Sequence, residues 1–237
     1  MSLDETQLQQ FDRYRDELLD WNQRVNLTAI TDPTAVDRLH FLDSLACLLS
    51  VFPDRADVLD VGAGPGLPGL ALKIARPDLS LTLLEATGKK ARFLEHVVAT
   101  LNLDRVRVVA ERAESFAGWE LFDVVLARAL AAMPVLVELT LPFCRVGGNV
   151  LALKKGAGLA AELASAAHAF HVLGGELANP CSYDLDGEPR QVVVIRKVRP
   201  TPPGYPRRPG MPAKKPLQAL STATSHCLRG DTAQFGN

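Results

Sequence analysis

The chain has 237 residues, 47% of them apolar, with 26 Lys and Arg against 27 Asp and Glu. That apolar supply supports a sizeable core, while a formal net charge of -1 excludes a globally basic coat and leaves local clustering of charge as the only route to nucleic acid. No run approaches about 18 apolar residues, and the polar, acidic start MSLDETQLQQ is unlike a signal peptide, so a cytoplasmic protein without a membrane span is expected.

In chain order, apolar residues at Leu8, Phe11, Tyr14, Leu18, Leu19 and Trp21 recur at helical spacing and predict an amphipathic helix. A second helix is predicted from Pro33, after Asp32, through Leu39, Leu42, Leu45 and Leu49 to the break at Pro53. Residues 1–53 therefore read as an N-terminal helical cap. Beyond it, β-branched or Leu-rich runs (DVLDVG, LSLTLLEA, RVRVVAE, FDVVLAR, GNVLALKK, CSYDLDG, QVVVIRK) alternate with helical patterns near Gly69–Ala75, Gly88–Leu101, Ala132–Phe143 and Leu159–Leu173. This alternation predicts a doubly wound, mostly parallel sheet over residues 54–198. Its last two strands are joined by turn residues, which predicts an antiparallel edge pair.

Residues 199–237 form the third segment. From Arg196 to Lys215 there are seven basic and no acidic residues, broken throughout by proline, which predicts an extended basic arm. The Ser/Thr/Gly-rich tail from Leu217 is expected to be disordered. Cys47, Cys144, Cys181 and Cys227 lie far apart with no zinc-ligand spacing, so they read as reduced thiols and no metal site is expected.

The turn VLDVGAGPGLPGLALK carries the first chemical signal. A strand ending in Asp60 that turns through Gly62, Gly64 and Gly66 brings bare backbone against a ligand beside the N-terminus of the following helix. Gly64, Gly66 and Gly69 also satisfy the dinucleotide spacing, with Glu85 about 20 residues on, where a carboxylate can accept ribose hydroxyls. An adenosine-type ligand follows from that pair, without a choice among such ligands. Glu114, in ERAES after the third strand, is placed to accept from an adenine amino group. The antiparallel pair that ends the sheet is the plan of S-adenosylmethionine-dependent methyltransferases rather than of nicotinamide enzymes. The expected fold is thus α/β, a Rossmann-like class I S-adenosylmethionine-dependent methyltransferase fold with a mostly parallel seven-stranded sheet and an N-terminal helical cap.

The motifs WNQRVNLTAI, RLHFLDSL, DVGAGPGLPG, LLEATGKKARFL, ARAL, LALKKG, GEPRQVVVI and YPRRPGMPAKKPL, in that order from about Leu18 to Leu217, resemble the RsmG (GidB) family of bacterial 16S rRNA guanine-N7 methyltransferases. The resemblance implies S-adenosyl-L-methionine as cofactor, held by Gly62, Leu67, Ala113, Glu114 and Arg128, with Glu85, Ala86 and Thr87 near its ribose. It implies a guanine in the 530 loop of 16S rRNA, within the small ribosomal subunit or an assembly intermediate, as substrate of a monomeric enzyme. His40 and Asp43 read equally well as capping residues or as site residues. The chain departs from the family at ALKKG, which has an extra lysine and leaves open whether Lys154 or Lys155 faces the site, and in its longer tail.

The chemistry left open by the residues agrees with this reading. Methylation of an exocyclic amino group calls for a polar-Pro-Pro-aromatic motif after the fourth strand, where this chain has LARALAAM. Methylation of pyrimidine C5 needs a cysteine nucleophile, and Cys144 reads as a buried one. Guanine N7 carries a free lone pair, so no general base is required. Arg128, ending an apolar strand, is the main candidate for positioning substrate or cofactor, through the methionine carboxylate or a substrate phosphate. Lys89, Lys90, Arg92, Lys154, Lys155, Arg190, Arg207 and Arg208, with Lys214 and Lys215, are the candidate RNA contacts. An NAD(P)-dependent oxidoreductase and a non-catalytic RNA binder are the alternatives.

Overall fold

The computed structural model describes residues 2–50, 52–156 and 158–217. Strands β1 (Asp57–Val61), β2 (Ser80–Leu84), β3 (Val106–Val109), β4 (Phe122–Arg128) and β5 (Cys144–Lys155) are parallel. β8 (Glu188–Lys197) runs antiparallel to β5, and the sheet order is β3-β2-β1-β4-β5-β8. All seven expected strands are present. An eighth, β6 (Gly175–Leu177), pairs with the Ile195–Lys197 end of β8, and β7 (Cys181–Leu185) pairs with its Glu188–Val192 end. The edge is therefore one broken strand made in two pieces; three residues of GEL are too few to show any alternation in sequence.

The strand order reverses between β1 and β4, which opens a crevice beyond their C-terminal ends. Both faces of the sheet are covered, so β4 is buried from Phe122 to Ala127 and shows no polar alternation. On one face α4 (Gly69–Ala75) and α5 (Gly88–Thr100) pack through Leu70, Ile74, Phe93, Leu94 and Val97 onto Val58, Leu81, Leu83 and Leu126. On the other, α6 (Met133–Thr140) and α8 (Ala167–Leu173) pack onto Leu59, Val125, Val150 and Ile195. The predicted single helix from Leu159 to Leu173 breaks at Ala166 into α7 (Leu159–Ser165) and α8.

The cap shares the core of the sheet instead of forming a separate unit. Helix α1 (Glu5–Asn22) starts with a capping box between Asp4 and Gln7 and buries Phe11, Tyr14 and Leu18 at 3-4 spacing. These three belong to the same apolar cluster as Val58 and Leu126. Gln7 also donates to the carbonyls of Ile74 and Ala75, satisfying the C-terminal end of α4. The second cap helix is not uniform. After α2 (Pro33–Val36), capped by Asp32, the chain passes through π turns at Asp37–Leu42 and a single α turn, α3 (Asp43–Leu45), to a 3-10 turn at Ala46–Leu49. Arg128 donates to Leu39 O and, beside the Ser44 hydroxyl, to His40 O in these turns.

The C-terminal arm corrects the extended reading. Arg196 and Lys197 end β8, and Lys197 is fully buried, its ammonium donating to Leu141 O. Residues 199–217 fold back over α6, with one helical turn, α9 (Met211–Lys214). The expectation of a disordered tail falls on residues 218–237, which lie outside the described residues. No helix among the described residues is long and apolar enough to cross a membrane.

Candidate active site

The glycine turn after β1 is built on left-handed backbone. Gly62 and Gly64 have φ of +69° and +57°, a region costly for residues with a Cβ. The amides of Gly62 and Ala63 donate to Leu84 O at the end of β2, drawing the turn across the neighbouring strand. A Cβ on Gly62 would lie 2.6 Å from Leu130 Cδ1. Backbone and Leu130 therefore meet where β1 and β4 diverge.

Three acceptors brace this turn from behind. Asp60 Oδ2 accepts from Gly69 N at 2.8 Å and so caps α4. Glu85 accepts from Gly64 N and Thr87 N, each at 2.8 Å. Pro65 O accepts from the buried Tyr14 hydroxyl. Asp60, Gly66, Glu85 and Thr87, expected at the cofactor, thus serve the loop in this structure. Asp60 is fully buried and Glu85 nearly so, and none of the four is in the walls of the cavities described below. Glu85 uses one lone pair on each oxygen, so its carboxylate keeps acceptor capacity.

Two cavities meet at Gly62. One, of about 260 Å³, is lined by Ala86, Ala113, Glu114, Leu130, Val135 and Pro212 among others. The other, of about 240 Å³, is lined by Thr28, His40, Gly64, Leu67, Lys90 and Arg128 among others. The first is mostly apolar, with Glu111, Arg112 and Glu114 along one wall, and the second is mixed, with Thr28, His40, Lys90 and Arg128 beside Leu27 and Leu67, so together they suit a ligand with a flat aromatic end and a charged end. Gly62, Gly64, Leu67, Ala86, Ala113, Glu114 and Arg128 are thereby brought together around these two cavities. Leu130, Val135, Leu139, Gly210, Pro212 and Ala213 were not anticipated.

Arg128 is committed to the cap, which departs from the expectation that it is free for an anion. Nη2 donates to Leu39 O and His40 Nδ1, both at 2.9 Å, and Nη1 to His40 O at 3.3 Å and Ser44 Oγ at 3.2 Å. Nε lies 3.6 Å from Asp43 Oδ2. The π turns supply the two carbonyls. His40 is neutral, its Nδ1 accepting from Arg128 and its Nε2 2.7 Å from Thr28 Oγ1, and burial with the nearby guanidinium lowers its pKa to about 4. Asp43 Oδ1 accepts from the Tyr183 hydroxyl at 2.8 Å and lies 3.3 Å from Arg190 Nη1. His40 and Asp43 are thus site residues through what they hold.

Next to Arg128 the backbone of Ala129 is left-handed, with φ of +51°. Strain of this kind concentrates at functional sites. Ala129 lines both the polar cavity and a third one, of about 290 Å³, whose wall includes Asp43, Lys154, Lys155, Tyr183 and Arg190. Lys154 donates to Ala131 O at 3.0 Å and Glu162 Oε1 at 2.7 Å, while Glu162 Oε1 also accepts from Met133 N, so Lys154 ties down the loop after β4. Lys155 is the solvent-facing ammonium, 3.5 Å from Glu188. Lys89, Arg92 and Arg208 are exposed and Lys90 half-buried. Arg207 is not available to RNA, because its fork closes on the fully buried Glu138.

Cys144 is buried with its thiol pKa pushed up to about 12 by burial, so it is a poor nucleophile. No group of three potential metal ligands occurs among the described residues.

Buried Asp60 and His40 titrate in opposite senses. Burial raises Asp60 to about 7 from an ordinary 3.8, so its protonated form adds stability below about pH 4 that is lost as pH rises to about 7. His40 adds stability present above its ordinary 6.5 and lost as pH falls towards about 4. In the shared window the two slopes oppose each other. Asp60→Asn removes the first, so urea unfolding at pH 5 and pH 7.5 is expected to show the variant gaining on the wild type at the higher pH by at least about 1 kcal/mol. A pH-independent difference would refute this assignment.

Comparison with known proteins matches this architecture. A sequence model of the family described as "rRNA small subunit methyltransferase G" (GidB) matches residues 7–185. Proteins named "Ribosomal RNA small subunit methyltransferase G" are similar over nearly their whole length. The one from Chloroflexus aggregans is 49% identical over 220 residues, covering 91% of this chain and 92% of its own. That from Moorella thermoacetica is 48% identical, covering 92% and 93%. Among solved structures, a SAM dependent methyltransferase from Aquifex aeolicus shares the fold with a TM-score of 0.53 at 11% identity, covering 76% of this chain and 97% of that one. The sheet is accordingly the Rossmann-like class I methyltransferase sheet, and the chain belongs to the GidB family of small-subunit rRNA methyltransferases.

Proposed function

We propose that this protein transfers the methyl group of S-adenosylmethionine to N7 of a guanine in the 530 loop of 16S rRNA. The observation that carries the reading is the pair of cavities joined at Gly62, one mostly apolar with Glu114 on its wall and one mixed with His40, Lys90 and Arg128, opening beside the third cavity at the strained Ala129. Gly62 fits a bulky ligand pressed on backbone, since a Cβ there would fill the seam. Ala113, Glu114 and Leu130 would hold the adenine end, and Gly64, Leu67 and Thr28 the amino-acid end.

When bound, the cofactor supplies an electrophilic methyl group on a sulfonium. Its methyl carbon would pass from sulfur to the lone pair of N7, the positive charge moving to the purine with no proton to remove, so no residue here is required as a general base. The chain's task is therefore alignment and exclusion of water. Arg128 fixes the cap over the polar cavity, Lys154 fixes the loop that carries Ala129, and Asp43 keeps a carboxylate near the base's path. Lys89, Lys90, Arg92, Lys155 and Arg208 would meet phosphates, while Arg190 is held by Asp43 and Glu188, and this predicts binding that weakens steeply with salt.

Mass mapping of 16S rRNA from a deletion strain, with re-methylation of that rRNA by the purified protein, tests the reading. Loss and recovery of one methyl on the 530-loop guanine is expected, and an unchanged map overturns it. Calorimetry with S-adenosylhomocysteine and with NAD(P) separates the oxidoreductase alternative, which predicts heat only with the latter.

A further inference from the structure

Glu138 lies in the otherwise apolar stretch MPVLVELT of α6 and is 0% exposed. A carboxylate so buried needs a cation and donors, and the arm supplies both. Arg207 donates from Nε to Oε1 at 2.8 Å and from Nη2 to Oε2 at 2.6 Å, and its own backbone N–H reaches Oε1 at 2.9 Å. Nη2 also donates to Lys215 O at 2.7 Å, closing residues 207–215 into a loop. Within that loop Gly210 N donates to Glu114 Oε1 at 3.0 Å, so this carboxylate of the mostly apolar cavity is oriented by the arm. Gly210, Pro212 and Ala213 line that cavity.

The outer side of the same loop is different. Arg208, Lys214 and Lys215 are exposed while Arg207 alone turns inward. One short segment thus completes the cofactor wall on its inner side and presents three cations on its outer side.

We infer that residues 199–217 are a shared wall whose docking, fastened by the Arg207–Glu138 pair, couples occupancy of the cofactor cleft to binding of an RNA strand on Arg208, Lys214 and Lys215. This rests on the function proposed above. The docked arm is the form that both ligands require, so each stabilises the form the other needs. Coupling of this kind is reciprocal, and each ligand tightens the other by the same factor. Arg207 and Glu138 are positioning residues here, acting on the cofactor through Glu114 and the wall.

The test uses the full chain, S-adenosylhomocysteine as one probe and a synthetic 530-loop hairpin as the other, by calorimetry at fixed low salt. In the wild type, saturating hairpin is expected to lower the S-adenosylhomocysteine Kd about fivefold or more. The surface triple variant Arg208→Ala, Lys214→Ala, Lys215→Ala is expected to keep the wild-type Kd without RNA and to lose the RNA effect. Arg207→Gln is expected to weaken S-adenosylhomocysteine at least about tenfold in the absence of RNA and to speed proteolytic cleavage within residues 199–217; the triple variant carries the test where Arg207→Gln does not fold. A Kd that the hairpin leaves unchanged in the wild type, or an RNA effect that survives in the triple variant, overturns the inference. Failure of the wild type to bind S-adenosylhomocysteine at all overturns the functional reading instead.

Discussion

Valine at position 62 is expected to abolish binding of S-adenosylhomocysteine while leaving a folded protein. The φ of +69° at Gly62 is strained for a β-branched residue, at a cost of roughly 1 to 3 kcal/mol. Its Cβ would stand 2.6 Å from Leu130 Cδ1. Leu130 can yield only towards the apolar cavity it lines, and the added methyls occupy the seam that both cavities share. Strain and lost volume therefore act on the same ligand, and the Kd is expected to rise by at least about two orders of magnitude, equivalent to about 3 kcal/mol. Calorimetry checks the affinity, and urea unfolding should show a much smaller loss of stability. An affinity within threefold of wild type would remove Gly62 from the site. Gly66→Ala is the contrasting case: its Cβ would meet Leu70 Cδ1 at 2.4 Å and the Tyr14 hydroxyl at 2.8 Å, so it should loosen the cap while leaving the cavity walls in place.

These two glycines show what the sequence can and cannot say. Strand runs and helical spacing are local, and they reveal all seven longer strands: the five parallel ones as near-continuous apolar runs, because both faces of the sheet are covered, and the antiparallel edge pair by its turn residues and the alternation in β7. The positive φ of the turn is legible too, since glycine clusters where a Cβ is forbidden. Which glycine faces the ligand is not, because that depends on Leu130 and Tyr14, from elements about 50 to 70 positions away. Asp60 and Glu85 illustrate the same limit. Their types and places at the C-terminal ends of β1 and β2 are legible, but their role in bracing amides of the turn is a matter of side-chain direction. The arm was misread for a further reason. Seven cations among prolines look solvated until one notices that Glu138, a lone charge in an apolar helix, requires a cation from elsewhere. That mismatch was present in the sequence; its partner, 69 positions on, was not marked by any spacing.

Arg128→Lys is expected to lower methyl transfer by at least about two orders of magnitude, because the guanidinium is a fastener with many points of attachment. Its side chain is 17% exposed, and its N–H groups reach two carbonyls, a hydroxyl, an imidazole nitrogen and the neighbourhood of Asp43. An ammonium keeps the charge but offers three donors from a single atom, so it cannot span acceptors on both sides of the π turns. Leu39 O and the Nδ1 of His40 would lose their guanidinium donor inside the protein, while His40 O keeps the Ser44 hydroxyl, and the cap is expected to lose about 3 kcal/mol of its attachment. Two measurements distinguish this role from the direct contact with cofactor that the family resemblance implies. As a fastener, Arg128→Lys lowers stability to urea and exposes residues 23–50 to protease together with the loss of rate. As a direct ligand, it raises the S-adenosylhomocysteine Kd with the cap still protected. Full protection with a normal rate would refute both roles, leaving the π turns and the strained Ala129 to be explained without Arg128.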